Sequence, residues 1–229
     1  MNLHYISIYS PILSILAFCI FRFNWKQKLK WTIFILAIVS ITVDMVCKYF
    51  AEKSIPTIWI INLFTLIEFY LLFTFFYFLF FQKIALRKTV IGLSLVFLIF
   101  WISKNFLFGT INSYDYLSQA LEFIILLFLC LIYFFQKTKI TDTTFIYNYY
   151  EFWIVAALLM YCAGTLISFF TPINTNQKDL DTQVFETITR LSSILKHALI
   201  TVAFCINNKM SSNNLKSQNS TYYMNDLKD

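Results

Sequence analysis

Seven long apolar runs, separated by short polar connections, dominate this chain of 229 residues. Each run has about 20 residues, the length that an α-helix needs to cross a hydrocarbon core of roughly 30 Å. Helices are also the segments that satisfy their own backbone hydrogen bonds in lipid. We therefore predict an all-α, polytopic bundle with seven transmembrane helices, over residues 3–23, 31–50, 58–81, 89–108, 117–135, 149–170 and 184–206.

The scarcity of charge argues against a soluble globule. Only 13% of the residues are charged and 59% are hydrophobic, whereas a soluble domain commonly has about 25% charged residues. We assign residues 1–206 to the transmembrane domain. Residues 207–229 are rich in Asn, Ser and Lys, and this composition predicts a disordered cytoplasmic tail.

The distribution of Lys and Arg predicts the orientation in the membrane. Twelve of the 18 basic residues lie in three loops and the tail, at positions 22–30, 83–88, 137–139 and 209–228. Cytoplasmic segments are the ones enriched in Lys and Arg, so the N-terminus is predicted outside and the C-terminus in the cytoplasm. The expected location is the inner (plasma) membrane. The net charge of +6 then reflects orientation, and we expect no nucleic-acid partner.

Several polar residues fall inside the predicted helices. A charge within the bilayer costs roughly 2.5–3.5 kcal/mol on insertion scales, so such residues need partners or a function. From the helical rise, most of them lie in the outer half of the membrane. We predict that they converge on a pocket open to the periplasm, whose candidate ligand-binding residues are Asp44, Asn62, Glu68, Gln119, Glu122, Tyr161, Arg190 and Lys196.

Three readings of this polar set stay open at the level of sequence. Its charges could form structural ion pairs, with Arg190 on Glu68 or Glu122 and Lys196 on Asp44. They could instead bind a ligand or an ion, or they could serve proton relay or catalysis. Buried ion pairs contribute uncertain net stability, so stability alone is a weak reason for so many of them.

Helices three and five share a pattern at an offset of 54 residues. Positions 67–83 and 121–137 are identical at seven of 17 places, including the glutamates Glu68 and Glu122. Chance similarity in a chain rich in Phe and Leu is one explanation. The other is an old duplication of a helical hairpin, of the kind found in transporters. Duplication predicts that the two glutamates lie at one depth near the bundle axis, around one central pocket.

Catalytic and cofactor motifs are not apparent. No nucleophile elbow or metal-binding motif occurs, and the Gly-Asp and His-bearing motifs of the multi-helical lysoplasmalogenases are missing. Five cysteines lie in apolar segments without ligand spacing, and the chain has only two histidines. A lysine in helix seven also occurs in retinal proteins, but here Arg190 and His197 crowd Lys196. We therefore expect no metal, no cofactor and no catalytic residue.

Three stretches resemble a small, uncharacterised seven-helix membrane protein family of Bacteroidota. They are residues 62–69, which read NLFTLIEF, residues 152–165, and the Ser-Ile-Leu-Lys run that ends at Lys196. The family has His before the aromatic-Thr run and Asn in helix seven, where this chain has Asn62 and Lys196. The resemblance implies a seven-helix fold and carries no activity.

We interpret the chain as a seven-helix protein that senses or binds a small ligand or ion and signals to a membrane or cytoplasmic partner. A membrane enzyme acting on lipid and a small transporter are the alternatives.

The predicted orientation is tested by reporter fusions after Asp229. Because the positive charges favour a cytoplasmic C-terminus, a green fluorescent protein fusion should fluoresce and an alkaline phosphatase fusion should be inactive. Phosphatase activity at that position would reverse the assignment of outside and inside throughout the bundle.

Overall fold

The computed structural model describes residues 3–21, 28–81, 83–107, 115–140, 143–169 and 178–206. The predicted tail at 207–229 lies outside these residues. The chain forms seven α-helices: α1 (Leu3–Ile20), α2 (Lys28–Glu52), α3 (Ile58–Leu79), α4 (Ile84–Ile102), α5 (Tyr116–Ile140), α6 (Tyr150–Phe169) and α7 (Lys178–Cys205). A π-helix, Ser103–Leu107, continues α4, and a 3₁₀-helix, Thr143–Asn148, precedes α6.

The all-α prediction is confirmed, with one helix for each apolar run. Three limits differ from the prediction, because helices continue into polar sequence: α4 begins at Ile84 and not at 89, α5 ends at Ile140 and not at 135, and α7 begins at Lys178 and not at 184. Six contain apolar segments long enough to cross a membrane, and α1 contributes the shorter apolar segment Ile6–Ile20. The protein is thus a multi-pass membrane protein by helix length and composition.

The helices form a closed bundle. Each helix packs against the next along the chain, and α7 packs against α1. Helix α3 also contacts α5 directly, so α4 lies outside the groove between them. We call the end at which α1, α3, α5 and α7 begin the upper end, and the opposite end the lower end. On the predicted orientation, the upper end faces the outside.

Large apolar side chains cover the outer surface of the bundle. Leu95, Phe128 and Ile167 are examples, each more than half exposed. A soluble monomer rarely exposes contiguous apolar surface on this scale. This surface is therefore the part of the protein that contacts the lipid bilayer.

Aromatic packing fills much of the lower half of the bundle. The Phe76 ring stacks on Phe80 near the lower end of α3, with 6.0 Å between ring centroids. Phe18 in α1 stacks on Phe34 in α2 at 3.8 Å. Rings in such contacts add to the free energy gained by burying their area. The lower half is thereby mainly apolar, and most of the buried polar residues lie in the upper half.

Cations lie over aromatic rings at the lower end. The guanidinium of Arg87 lies 4.6 Å from the Tyr77 ring centroid and 4.9 Å from that of Phe81, and Lys28 lies 5.5 Å from that of Phe78. Aromatic and basic side chains are typical of the membrane interface. These contacts anchor the lower ends of α2, α3 and α4 there.

Helix α1 continues through Pro11 with help from a serine. Proline has no N–H to donate, which leaves the carbonyl of Ser7 without its usual helical donor. The Ser10 hydroxyl donates to that carbonyl at 2.8 Å. A side-chain donor of this kind is what lets a transmembrane helix tolerate an internal proline.

Helices α6 and α7 approach closely at Gly164. A Cβ added at Gly164 would lie 2.0 Å from the Ser192 Oγ and 3.0 Å from its Cβ. The Ser192 hydroxyl already donates to the Ile188 carbonyl at 2.9 Å. Small residues allow this kind of close backbone approach in membrane bundles.

Replacing Gly164 should therefore weaken the α6–α7 contact. We expect Gly164→Ala to lower the free energy of unfolding by about 1–3 kcal/mol, the usual effect of overpacking. Reversible unfolding in mixed micelles with increasing dodecyl sulfate measures it. Gly92→Ala is the matched control, because nothing lies within 4 Å of that added Cβ. Equal effects of the two substitutions would contradict the close approach, and adding Ser192→Gly to Gly164→Ala should restore stability.

Candidate functional site

A buried ion pair crosses the bundle between α3 and α7. The Lys196 Nζ lies 3.4 Å from the Glu68 Oε1, and both side chains are buried. The same ammonium sits 3.7 Å from the centroid of the Tyr161 ring, in α6. A cation close to an aromatic face gains further electrostatic stabilisation when it is desolvated. The lysine of α7 thus contacts side chains from two other helices, α3 and α6.

Glu122 of α5 lies beside this pair and is only 1% exposed. Its carboxyl interacts electrostatically with Glu68 and with Lys196. Among the described residues, no hydrogen-bond donor reaches its Oε1 atom, which is fully buried. Buried polar atoms nearly always have a partner, so this oxygen is an exception that calls for an explanation.

Asp44 lies at the edge of the cluster. It is exposed on α2, and its carboxyl interacts electrostatically with Lys196 and Glu68. The buried residues of α2 run from Lys30 to Ser40, in the first half of that helix. Asp44 therefore borders the ion pair at the surface of the bundle, and convergence of all the predicted charges on one pocket stays a prediction.

Arg190 lies six residues before Lys196, about 9 Å further up α7. It is half-buried. The sequence suggested Arg190 as the partner of a glutamate, but in the part of the chain that the structure describes the cation paired with Glu68 is Lys196. The side chains of Asp179, Asp181 and Glu186, near Arg190 in sequence, lie outside the described residues.

A column of hydrogen-bonded side chains joins the upper end to this cluster. Asn62 accepts a hydrogen bond from the Asp115 backbone N–H at 3.4 Å. One turn lower, Gln119 Nε2 donates to the Thr65 hydroxyl at 3.4 Å. Asn62, Thr65 and Glu68 occupy every third position of α3, one face of the helix. The column therefore leads from the helix ends down to the ion pair.

Asp115 organises the top of the column. It is the N-cap of α5: its Oδ1 accepts from the Ser118 N–H at 3.2 Å, and the Ser118 hydroxyl donates to its Oδ2. The Oδ2 atom also accepts from Asn105 Nδ2 at 3.1 Å. Asn105 lies in the π-helix Ser103–Leu107, and it is buried. Such π turns often occur at functional sites.

Residues of α3 and α5 that contact each other in this column are separated by 54 positions, the offset of the sequence repeat. Thr65 contacts Gln119 across 54 residues, and Glu68 interacts with Glu122 at the same separation. Helices α3 and α5 run in the same direction, so a repeat offset of 54 residues places equivalent positions side by side. This arrangement agrees with a duplicated hairpin, and a rotation that superposes the two hairpins stays a prediction.

Other buried polar residues near the cluster were not among the predicted ligand-binding residues. His197 lies with its Nδ1 3.5 Å from the Ser14 hydroxyl, on the side of α7 that faces α1. The Cys162 thiol interacts electrostatically with Glu122 and with Cys130, and both cysteines are buried. Asp115 had a usable signal, since Asp at the start of a helix is typical of an N-cap. His197 was recognisable as a polar residue inside an apolar run, whereas Cys162 carried no signal.

Across the described residues, no three His, Cys, Asp or Glu side chains are arranged to hold a metal ion. An apolar cavity of about 390 Å³ lies elsewhere, at the upper ends of α4 and α5, and is lined by Phe100, Ser103, Lys104 and Leu117.

Comparison of the chain with protein-family models, curated proteins and solved structures finds no match.

The Glu68–Lys196 pair should show strong coupling in a double-mutant cycle. Removing one partner leaves a buried charge, so Lys196→Met or Glu68→Gln alone should lower the free energy of unfolding by about 3–5 kcal/mol. The double variant should regain part of that loss, with a coupling energy of about 0.5–3 kcal/mol. Unfolding in mixed micelles measures all three. Lys48→Met is the control, because Lys48 is exposed on α2. Additive losses would mean that the two side chains are not paired.

Proposed function

We propose that this protein binds a small, positively charged species, a proton or a cation, at the cluster of Glu68, Glu122 and Lys196, and that it acts as a sensor in the inner membrane. The observation that carries the proposal is the buried and unpartnered Oε1 of Glu122. An ionised Glu122 carboxylate can only accept hydrogen bonds, whereas a protonated carboxyl also carries one O–H donor.

The charge balance of the cluster favours uptake of positive charge. Three carboxyls, from Asp44, Glu68 and Glu122, interact with one ammonium, that of Lys196. If all four were ionised, the cluster would have a net charge of −2. Unbalanced charge within the bilayer is costly, so one or two protons, or a cationic ligand, would stabilise the cluster.

Access from outside is supported by two features. Asp44 is exposed on the upper half of α2, and its carboxyl interacts with the ion pair from the surface of the bundle. The Asp115 column provides a second route from the upper end, along side chains that exchange hydrogen bonds. On this proposal, Asp44, Asn62, Gln119, Tyr161 and Arg190 surround the route and the site, and Glu122 receives the charge.

Sensing is proposed because Lys196 holds three helices at one point. A second cation at the cluster competes with Lys196 for Glu68, which loosens the contact between α3 and α7. The described residues are almost entirely membrane helices. A signal would therefore leave through helix ends or lateral contacts, to a membrane or cytoplasmic partner.

The two alternatives are favoured less by the geometry. A lipid-processing enzyme needs a nucleophile or an activated water beside an acid and a base. The cluster offers acids and a lysine that is already paired with Glu68. A small transporter would use the same charge-binding site.

Infrared spectroscopy of the purified protein in micelles tests the proposal. We expect the carbonyl stretching band of a protonated carboxylic acid, shifted in D₂O, because Glu122 is fully buried without a partner for Oε1. Glu122→Gln should remove the band. Addition of ammonium chloride should weaken it if a cation can replace the proton.

Glu52→Gln provides the control, since Glu52 is exposed at the end of α2. It should leave the band unchanged. Absence of the band in the wild type over the whole pH range in which the protein is folded, and in the presence and absence of ammonium, would refute uptake of a proton at Glu122.

A further inference from the structure

A second polar cluster lies at the lower end of the bundle. Lys30 of α2 is buried, and its Nζ donates to the Ile206 carbonyl at 3.1 Å. The same Nζ lies 4.6 Å from the centroid of the Tyr150 ring, in α6. Glu151 interacts electrostatically with Lys30 and Tyr150, and also with Tyr133 of α5. We call Lys30, Tyr133, Tyr150 and Glu151 the lower cluster.

The lower cluster, like the upper one, contains buried polar atoms without a hydrogen-bond partner among the described residues. Within the described part of the chain, the buried Tyr133 hydroxyl and the buried Oε2 of Glu151 make no hydrogen bond. Tyr133 is 3% exposed. A phenol can donate a proton, and a carboxylate can accept one. Such atoms in a bundle interior are normally satisfied by water or by a transferred proton.

Helix α5 connects the two clusters. Glu122 and Tyr133 are 11 residues apart, which is close to three helical turns and about 16 Å. They therefore lie on one face of α5. Between them stand Leu126 and Leu129, which are fully buried, and the Cys130 thiol. The Cys162 thiol of α6 interacts electrostatically with Glu122 and Cys130 and so lies along the same line.

We propose that this face of α5 is a gated proton path, in which Glu122 receives a proton at the upper side and Tyr133 with Glu151 releases one at the lower side. The inference rests on the proposed function, because Glu122 must first take up the proton. It goes beyond sensing, since the proton then crosses the membrane.

The transfer needs water in the apolar layer. When the layer at Leu126 and Leu129 opens and admits water, the O–H bond of protonated Glu122 breaks and its proton passes along the water to the Tyr133 oxygen. Tyr133 gives its own hydroxyl proton to the Glu151 carboxylate, so that its O–H bond is broken and re-formed. A proton then leaves Glu151 at the lower end, and Glu122 is again a carboxylate. One proton enters and one leaves, and no other bond changes. In the closed state, the leucine layer prevents a leak.

Charged and titratable groups face both ends of the path. Around Glu122 these are Glu68 from α3, Cys162 from α6 and Lys196 from α7. The Lys196 ammonium attracts the Glu122 carboxylate, and the Glu68 carboxylate repels it. Tyr133 faces Glu151 and Tyr149, and Lys137 lies 5.9 Å from its ring centroid. Opposed charges at the upper end let Glu122 both accept and release a proton.

Proton flux into proteoliposomes tests the path. The full chain is reconstituted into vesicles loaded with a pH-sensitive dye, and a potassium diffusion potential set with valinomycin drives protons inward. Wild-type vesicles should acidify faster than protein-free vesicles. Glu122→Gln should lower the rate to that of protein-free vesicles, and so should Tyr133→Phe, which removes only the hydroxyl.

Tyr147→Phe and Glu52→Gln are the matched controls, because both side chains are exposed. They should keep the wild-type rate. Leu126→Ala should raise the rate by thinning the apolar layer. Each variant is first shown by size-exclusion chromatography and thermal unfolding to be folded.

The outcomes separate this inference from the proposed function. If the infrared band of Glu122 is present and wild-type vesicles acidify no faster than protein-free ones, the path is refuted and the binding site stands. Unchanged flux in folded Tyr133→Phe would also refute the path, since the proton would not use the lower cluster. Absence of the Glu122 band would refute both.

Discussion

The bundle depends on the need to partner charge within the bilayer. Lys196 in α7 sits where an isolated ammonium would be costly, and Glu68 of α3 together with the Tyr161 ring stabilises it. Because these side chains come from three helices, the pair sets how α3, α6 and α7 lie relative to one another. The close approach at Gly164 holds α6 against α7 near the same level.

The polar and apolar parts of the interior are separated along the membrane normal. Phenylalanines such as Phe18 and Phe34 fill much of the lower half, and the hydrogen bonds of Asp115 and Gln119 lie in the upper half, above Glu122. The apolar packing supplies the stability that the buried charges do not. The lower cluster around Lys30 then appears at the far end, where α2, α5, α6 and α7 meet the interface.

The candidate site was predictable in its residues and less so in its contacts. Glu68, Glu122, Tyr161 and Lys196 were recognisable because polar residues in long apolar runs demand partners. Their pairing was not, because both Arg190 and Lys196 are cations at plausible depths. Tyr133 and Glu151 escaped notice because tyrosines and charges near helix ends are ordinary at a membrane interface. Their burial, and not their position in the sequence, distinguishes them.

Hydropathy by itself determined the number of helices and their limits to within about six residues, and it predicts a depth for each polar side chain. Those properties follow from the length of an apolar run and the helical rise. Only the tertiary structure decided which side of each helix faces the interior. Asp44 shows why: it continues the buried stripe of α2 by helical spacing, yet it is exposed, because the fully buried residues of that helix end at Ser40. Packing between helices depends on side-chain shape around the axis, and a hydropathy pattern does not contain that information.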